Sequence, residues 1–160
     1  MGRLAQTLGV IGAPLNTPAL DKLLAKGQYK LHVIGWEIQA SLTGETSPPV
    51  ARTELKLAIK PEIYFPGARI RKLYVRIVGP VTLFDKTEDG ETVIGAFRID
   101  TEEYEVVIMA TEVFLTHCLI SLSALPQSRC FLTLRTKTKV EQSAEGYVFL
   151  LEAALSTTSP

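Results

Sequence analysis

Residues 53–60 read TELKLAIK, and in them Leu55, Leu57 and Ile59 alternate with Glu54, Lys56 and Lys60. A period of two places the aliphatic side chains on one side of a strand and the charges on the other, which is the pattern of a sheet with one buried face. The same period runs upstream through HVIGWEIQASL (32–42). There Ile34, Trp36, Ile38, Ala40 and Leu42 share a face, and Glu37, Gln39 and Ser41 share the other. That parity makes Trp36 a core residue and His32 a half-buried strand histidine on the same side.

Downstream the punctuation continues. Pro66-Gly67 turns the chain into RIRKLYVRIV (69–78), and Gly79-Pro80 bends it into VTLF. DKTEDGETVIGAF (85–97) reads as a hairpin with Asp89-Gly90 as a two-residue type I′ turn, a register that sets Phe84 against Gly95 and Thr82 against Phe97. YEVVIMA, CFLTLRTKTKV and YVFLLEAAL supply further strands. TEVFLTHCLISLSAL (111–125) is ambiguous, because Phe114, Cys118, Leu122 and Leu125 would also line a helix. Its run through a short PQSR turn into CFLTL favours a strand.

Seven or eight strands, with turn signals between them, predict an all-β fold, mainly an antiparallel β-sandwich or barrel, with one short N-terminal helix. That helix is expected at residues 18–26, where Thr17 can cap it, Pro18 suits its first position and Gly27 ends it. At 160 residues, 46% hydrophobic and 21% charged, the chain is read as one globular domain over 18–155. Residues 1–17 form an apolar arm whose Leu8, Val10, Ile11 and Leu15 would dock on a neighbour, and 156–160 a loose tail. The arm has neither the apolar length nor the cleavage pattern of a signal peptide, and no run is long enough to span a membrane. Two cysteines, Cys118 and Cys130, are expected as buried free thiols. Together these features point to a cytoplasmic or otherwise intracellular protein, not a secreted one.

Net charge is zero, but the charges come in blocks. Residues 52–76 hold seven cations against two acids, 129–139 hold four cations and no acid, and 85–112 hold nine acids against two cations. Arg69, Arg71, Lys72, Tyr74, Arg76, Arg135, Lys137 and Lys139 are the candidate basic surface. If their two strands were neighbours they would form a basic stripe carrying an aromatic, the kind of surface that grips single-stranded nucleic acid. Asp85, Glu88, Asp89, Glu91, Glu102, Glu103 and Glu105 are the candidate acidic surface. Equal and opposite blocks favour charged faces that match between copies, since a dedicated nucleic-acid binder is usually basic overall.

Catalytic chemistry has little to work with. His32 and His117 lie at no metal-ligand spacing, and His117 and Cys118 point apart on a strand or a helix, so no catalytic residue, metal, cofactor or small-molecule substrate is assigned. Tyr64 and Phe65, beside Pro66-Gly67, form an apolar pair at a loop tip that could plug into a partner. The favoured expectation is a non-enzymatic structural module, coat- or matrix-like, forming a homo-oligomer through its arm and complementary charged faces. The alternatives are a β module that binds nucleic acid or an anionic membrane surface, and, third, an enzyme using paired carboxylates.

Overall fold

The computed structural model describes residues 27–44, 48–60, 72–99, 103–124, 130–137 and 147–157. The expected helix at 18–26, the arm at 1–17 and the Tyr64–Phe65 tip lie outside the described residues. Nine strands are described: β1 (Gln28–Thr43), β2 (Val50–Ile59), β3 (Lys72–Gly79), β4 (Asp85–Lys86), β5 (Thr92–Val93), β6 (Gly95–Ile99), β7 (Glu103–Met109), β8 (Cys130–Thr136) and β9 (Tyr147–Thr157). One helix, α1 (Glu112–Ala124), separates β7 from β8. β9 runs two residues into the stretch read as a tail.

Seven strands close into a barrel in the order β1-β2-β3-β7-β6-β9-β8, so the fold is a barrel and not a sandwich. Alternation of strand direction cannot close around a ring of seven. One seam must therefore be parallel, and it falls between β3 and β7, with the other six antiparallel. Inside, β2 buries Leu55, Leu57 and Ile59 as its alternation predicts, and these meet Leu31, Val75, Ile77, Phe97, Ile108, Leu132, Leu134 and Leu150. The Tyr29 and Phe97 rings pack within this core, 5.3 Å apart.

In β1 the simple alternation fails. Val33 pairs with Ile59 and Gly35 with Ala58, so one extra residue sits in β1 at this point. A bulge flips every later side chain to the opposite face. Tyr29, Leu31 and Val33 face inward before it, whereas Trp36 and Ile38 lie opposite inward-facing Leu57 and Leu55 after it. Ile34, read as sharing Trp36's face, is therefore 51% exposed on the outside. His32 is likewise on the outer face, stacked on Phe131 at 5.0 Å.

Within residues 111–125, favoured as a strand, Glu112–Ala124 form instead the helix α1. In the closed ring β8 already has β1 and β9 as neighbours, so no place remains for a strand hairpinned to it. The start of the helix is locally encoded. The Thr111 hydroxyl accepts the Phe114 N–H at 3.3 Å, and Glu112 adds an acid in the first turn. Leu115, Cys118 and Leu122 then face the barrel core. Gly79 permits that approach: a Cβ there would collide with the Ala110 carbonyl oxygen and come within 2.7 Å of Leu115 Cδ1.

The segment between β3 and β6 covers part of the outer barrel wall. Val81 and Val93 bury Val78, Ala96, Val107 and Met109 in a second apolar cluster, with Phe84 and Phe149 packed against it. Its hairpin differs from the two-residue turn expected of Asp89-Gly90. Asp85 pairs with Val93, the Gly90 N–H donates to Thr87 O, and the Thr87 N–H donates to Glu91 O. The loop is thus three residues long, with Gly90 at φ 83° in the left-handed position that such loops reserve for glycine. Phe84 and Gly95 are consequently not cross-strand partners; Gly95 pairs with Ile108 and Leu150 in the barrel wall.

Candidate interaction surface

The barrel order decides what the charged residues can do. β3, which carries Lys72, Tyr74 and Arg76, and β8, with Arg135 and the adjoining Lys137, are not neighbours. β2 and β1 separate them one way round the ring, and β7, β6 and β9 the other. The basic stripe that required their adjacency does not form.

Arg76, Lys137 and Arg135 are instead matched by acids of the same chain. Arg76, outward-facing on β3, reaches diagonally to both flanking strands. Its Nε hydrogen-bonds Glu54 on β2, and its Nη1 donates to Glu105 Oε1 on β7 at 3.0 Å. That hydrogen bond and the guanidinium charge hold the Glu54 carboxyl below its ordinary pKa, and Glu54 in turn raises Arg76. Lys137, just past β8, is only 6% exposed along its side chain, and its Nζ sits 2.8 Å from Asp89 Oδ2 and 2.7 Å from Glu91 Oε1. It pins the tip of the β4–β5 hairpin to the barrel. Arg135 pairs with Glu152 at 3.2 Å on a more open surface. The Tyr74 ring, a candidate stacking platform, carries Lys56 Nζ at 4.4 Å.

Asp85 and Glu88 are exposed on the hairpin. The Glu103 backbone pairs with Lys72 across the parallel seam. Arg69, Arg71, Lys139 and Glu102 lie outside the described residues, as do Leu8, Val10, Ile11, Leu15, Tyr64 and Phe65. Blocks of opposite sign along the sequence have thus become neighbours in space: Arg76 belongs to the basic block and Glu105 to the acidic one, and the same holds for Lys137 with Asp89 and Glu91.

The Lys137 clip makes a local prediction. In a Lys137→Ala variant the amides of Gly90 and Glu91 should exchange with solvent at least about tenfold faster, while those of β2 and β3 keep their protection. Hydrogen exchange read by mass spectrometry checks this; unchanged protection at the hairpin tip would show that Val81 and Val93 hold it without the lysine.

The described surface includes an outer-wall depression and an apolar one. One, of about 290 Å³, is floored by Gly35 and Ala58 and walled by Lys56 and Tyr74. The other, of about 180 Å³, is apolar and lies between Phe84, Ile94, Met109 and Phe114. Among the described residues no three His, Cys, Asp or Glu side chains come together to hold a metal ion, and no helix is long and apolar enough to cross a membrane. Cys118 and Cys130 are both buried free thiols, and burial pushes the Cys118 thiol up to about 11. His117, next in sequence to Cys118, is exposed.

What the sequence reading did not single out is the reach of β1. β2 pairs with β3 only as far as Thr53, opposite Gly79, while β1 and β2 continue together to Thr43 and Val50. A two-stranded ribbon therefore projects beyond the barrel wall. Leu42, on its inward face, is 73% exposed, and Ile38, just before the ribbon opposite Leu55 and already past the β1–β8 pairing, is 46% exposed. Alternation to Leu42 was visible in the sequence; that nothing among the described residues covers it was not. Val113 and Ile120, 67% and 61% exposed, add apolar surface to α1, whose residues after Glu112 carry no formal charge.

Comparison with known proteins finds no protein family, no curated protein and no solved structure that this chain matches.

Proposed function

We propose that this chain is a non-enzymatic structural module that self-associates into a coat- or matrix-like assembly, with the apolar arm at residues 1–17 and exposed apolar surface of the barrel as its contacts. The observation that carries the reading is the far half of β1, where Ile38 and Leu42 stay exposed past the end of the β1–β8 pairing, Leu42 on the projecting ribbon and Ile38 just before it. Large apolar side chains exposed along one strand are costly in a lone soluble domain and are the usual material of an interface. Charge matching between copies takes a smaller part than the sequence suggests, because Arg76, Lys137, Asp89, Glu91 and Glu105 already have partners within the chain. The same pairing lowers the potential available to a polyanion.

Size-exclusion chromatography with light scattering, at low and high salt and with ultraviolet absorbance recorded for nucleic acid, tests the proposal. A nucleic-acid-free oligomer that survives high salt is expected, and deletion of residues 2–15 should weaken it while leaving the barrel folded. An oligomer that salt dissolves would place the contact on charged residues instead. Co-elution with nucleic acid at low salt would favour the nucleic-acid-binding alternative, and a monomer at every concentration and salt would overturn self-association.

A further inference from the structure

We infer that the outer edge of β1, residues 36–43, is a docking edge for β1 of a second copy, the two strands pairing antiparallel about a two-fold axis through Ala40. The inference rests on the self-association proposed above and names the surface that performs it. β1 pairs with β8 only from Gln28 to His32, so beyond the bulge no described strand satisfies its outer edge. A strand in that state presents a row of backbone donors and acceptors that a second strand can complete.

The two edges of the ribbon are not alike. The β2 edge is entered by Pro48 and Pro49 and carries Arg52, the residues with which proteins blunt an edge against pairing. Residues 36–43 contain no proline, no lysine and no arginine, and their one charge is Glu37. The edge left without such guards is the longer one.

Self-pairing is also chemically consistent. A two-fold perpendicular to the sheet keeps the apolar sides of both copies on the same face. Centred on Ala40, it sets Ile38 against Leu42 of the second copy, and does so twice, joining the two most exposed apolar side chains of that face. On the polar face Gln39 meets Ser41 and Glu37 meets Thr43. The two Glu37 carboxylates then stand about 20 Å apart along the strands, too far for appreciable repulsion. The product is a four-stranded sheet, β2-β1-β1-β2, bridging two barrels with a continuous apolar face.

Full-length protein carrying Ala40→Cys is the direct test, because directly opposed residues of an antiparallel pair have Cα atoms about 4.5–5.5 Å apart, within disulfide range. The native thiols Cys118 and Cys130 are buried and contribute no background in folded protein. Mild oxidation is expected to convert Ala40→Cys into a covalent dimer, while Gln39→Cys, whose counterpart would lie a diagonal step away, stays largely unlinked. An Ile38→Lys/Leu42→Lys variant, with both changes on exposed positions past the β1–β8 pairing, should keep the wild-type circular dichroism and weaken association at least about tenfold through like charges set opposite each other. Wild type that self-associates, with Ala40→Cys unlinked and the lysine variant's mass unchanged, would overturn the β1 edge and leave self-association standing. That is also the result expected if a segment of this same chain covers the edge. Stronger linking at Gln39→Cys would overturn the Ala40 axis. Wild type that is monomeric throughout would remove this inference and the proposed function together.

Discussion

Gly95→Ala is expected to destabilise the barrel by about 3 kcal/mol or more, the upper end of what overpacking costs in a filled interior. Gly95 opens β6 at the point where it is held on both sides, paired with Ile108 of β7 and Leu150 of β9. The neighbouring Ile94 fixes the strand more tightly still: its N–H donates to Leu150 O at 3.0 Å, and its carbonyl accepts the Met109 N–H at 2.7 Å. A Cβ on Gly95 would strike the Val107 carbonyl oxygen and come within 3.1 Å of both Ile108 Cα and Leu150 Cδ1. Two of those three atoms are backbone, so no change of rotamer relieves the clash, and β6 would have to leave one neighbour and open the ring. Gly44→Ala is the matched control, since nothing lies within 4 Å of the Cβ it would add. It should leave stability within about 0.5 kcal/mol of wild type. Urea unfolding of both variants reads the difference, and a Gly95→Ala midpoint close to wild type would show that β6 is not gripped as described.

The same residue shows where local reading of the sequence stops. Gly95 looked like a hairpin position facing Phe84, because Asp89-Gly90 announces a turn and a two-residue loop implies that register. Thr87 decides otherwise: its backbone closes the loop with Gly90 and Glu91, and its hydroxyl takes the Glu91 N–H at 3.1 Å, making the loop one residue longer. One residue of slip moves every later pairing. The bulge at residues 33–35 is a second case, for an inserted residue leaves the composition of β1 unchanged and only Gly35 hints at it. β2 was legible from Thr53 to Ile59 because that stretch has no bulge and faces water on one side only.

The helix at 112–124 was harder for a different reason. EVFLTHCLISLSA is apolar around nearly its whole circumference, so no single face stands out and a strand explains the pattern as well. Thr111 and Glu112 were the usable signal, a capping hydroxyl followed by an acid. The charged surfaces were legible as composition but not as geometry. Which cation meets which acid depends on the order of strands around the ring, and the parallel β3–β7 seam is what brings residues 76 and 105 together. Alternation records which face a side chain takes; it carries no record of the strand that will lie beside it.

Arg76→Met should therefore cost more than a surface ion pair, and its cost should fall as the solution is acidified. Arg76, Glu54 and Glu105 are only about a quarter exposed, at 22%, 25% and 25% of their side chains. Methionine keeps much of the side-chain packing but leaves two carboxylates facing each other with no cation between them. Breaking a fully buried pair costs about 3–5 kcal/mol, and partial exposure brings the expected loss at neutral pH to about 2–3 kcal/mol. For a chain of this size that corresponds to a Tm lower by about 5–10 °C. The pH dependence follows from Glu54, whose folded-state pKa is depressed chiefly by the hydrogen bond from Arg76. A depressed carboxyl contributes stability that is present above its unfolded value, near about 4.3, and is lost as pH falls through the lower folded value. Wild type thus loses this contribution on acidification. The variant has none to lose, and protonation relieves the repulsion between its carboxylates. The gap between the two proteins should be widest near neutrality and narrow steadily below about pH 4.3. Thermal unfolding of both across that range measures it. A gap that stays constant with pH would mean that Arg76 stabilises the β2–β3–β7 wall by packing alone and that its two carboxylate contacts contribute nothing.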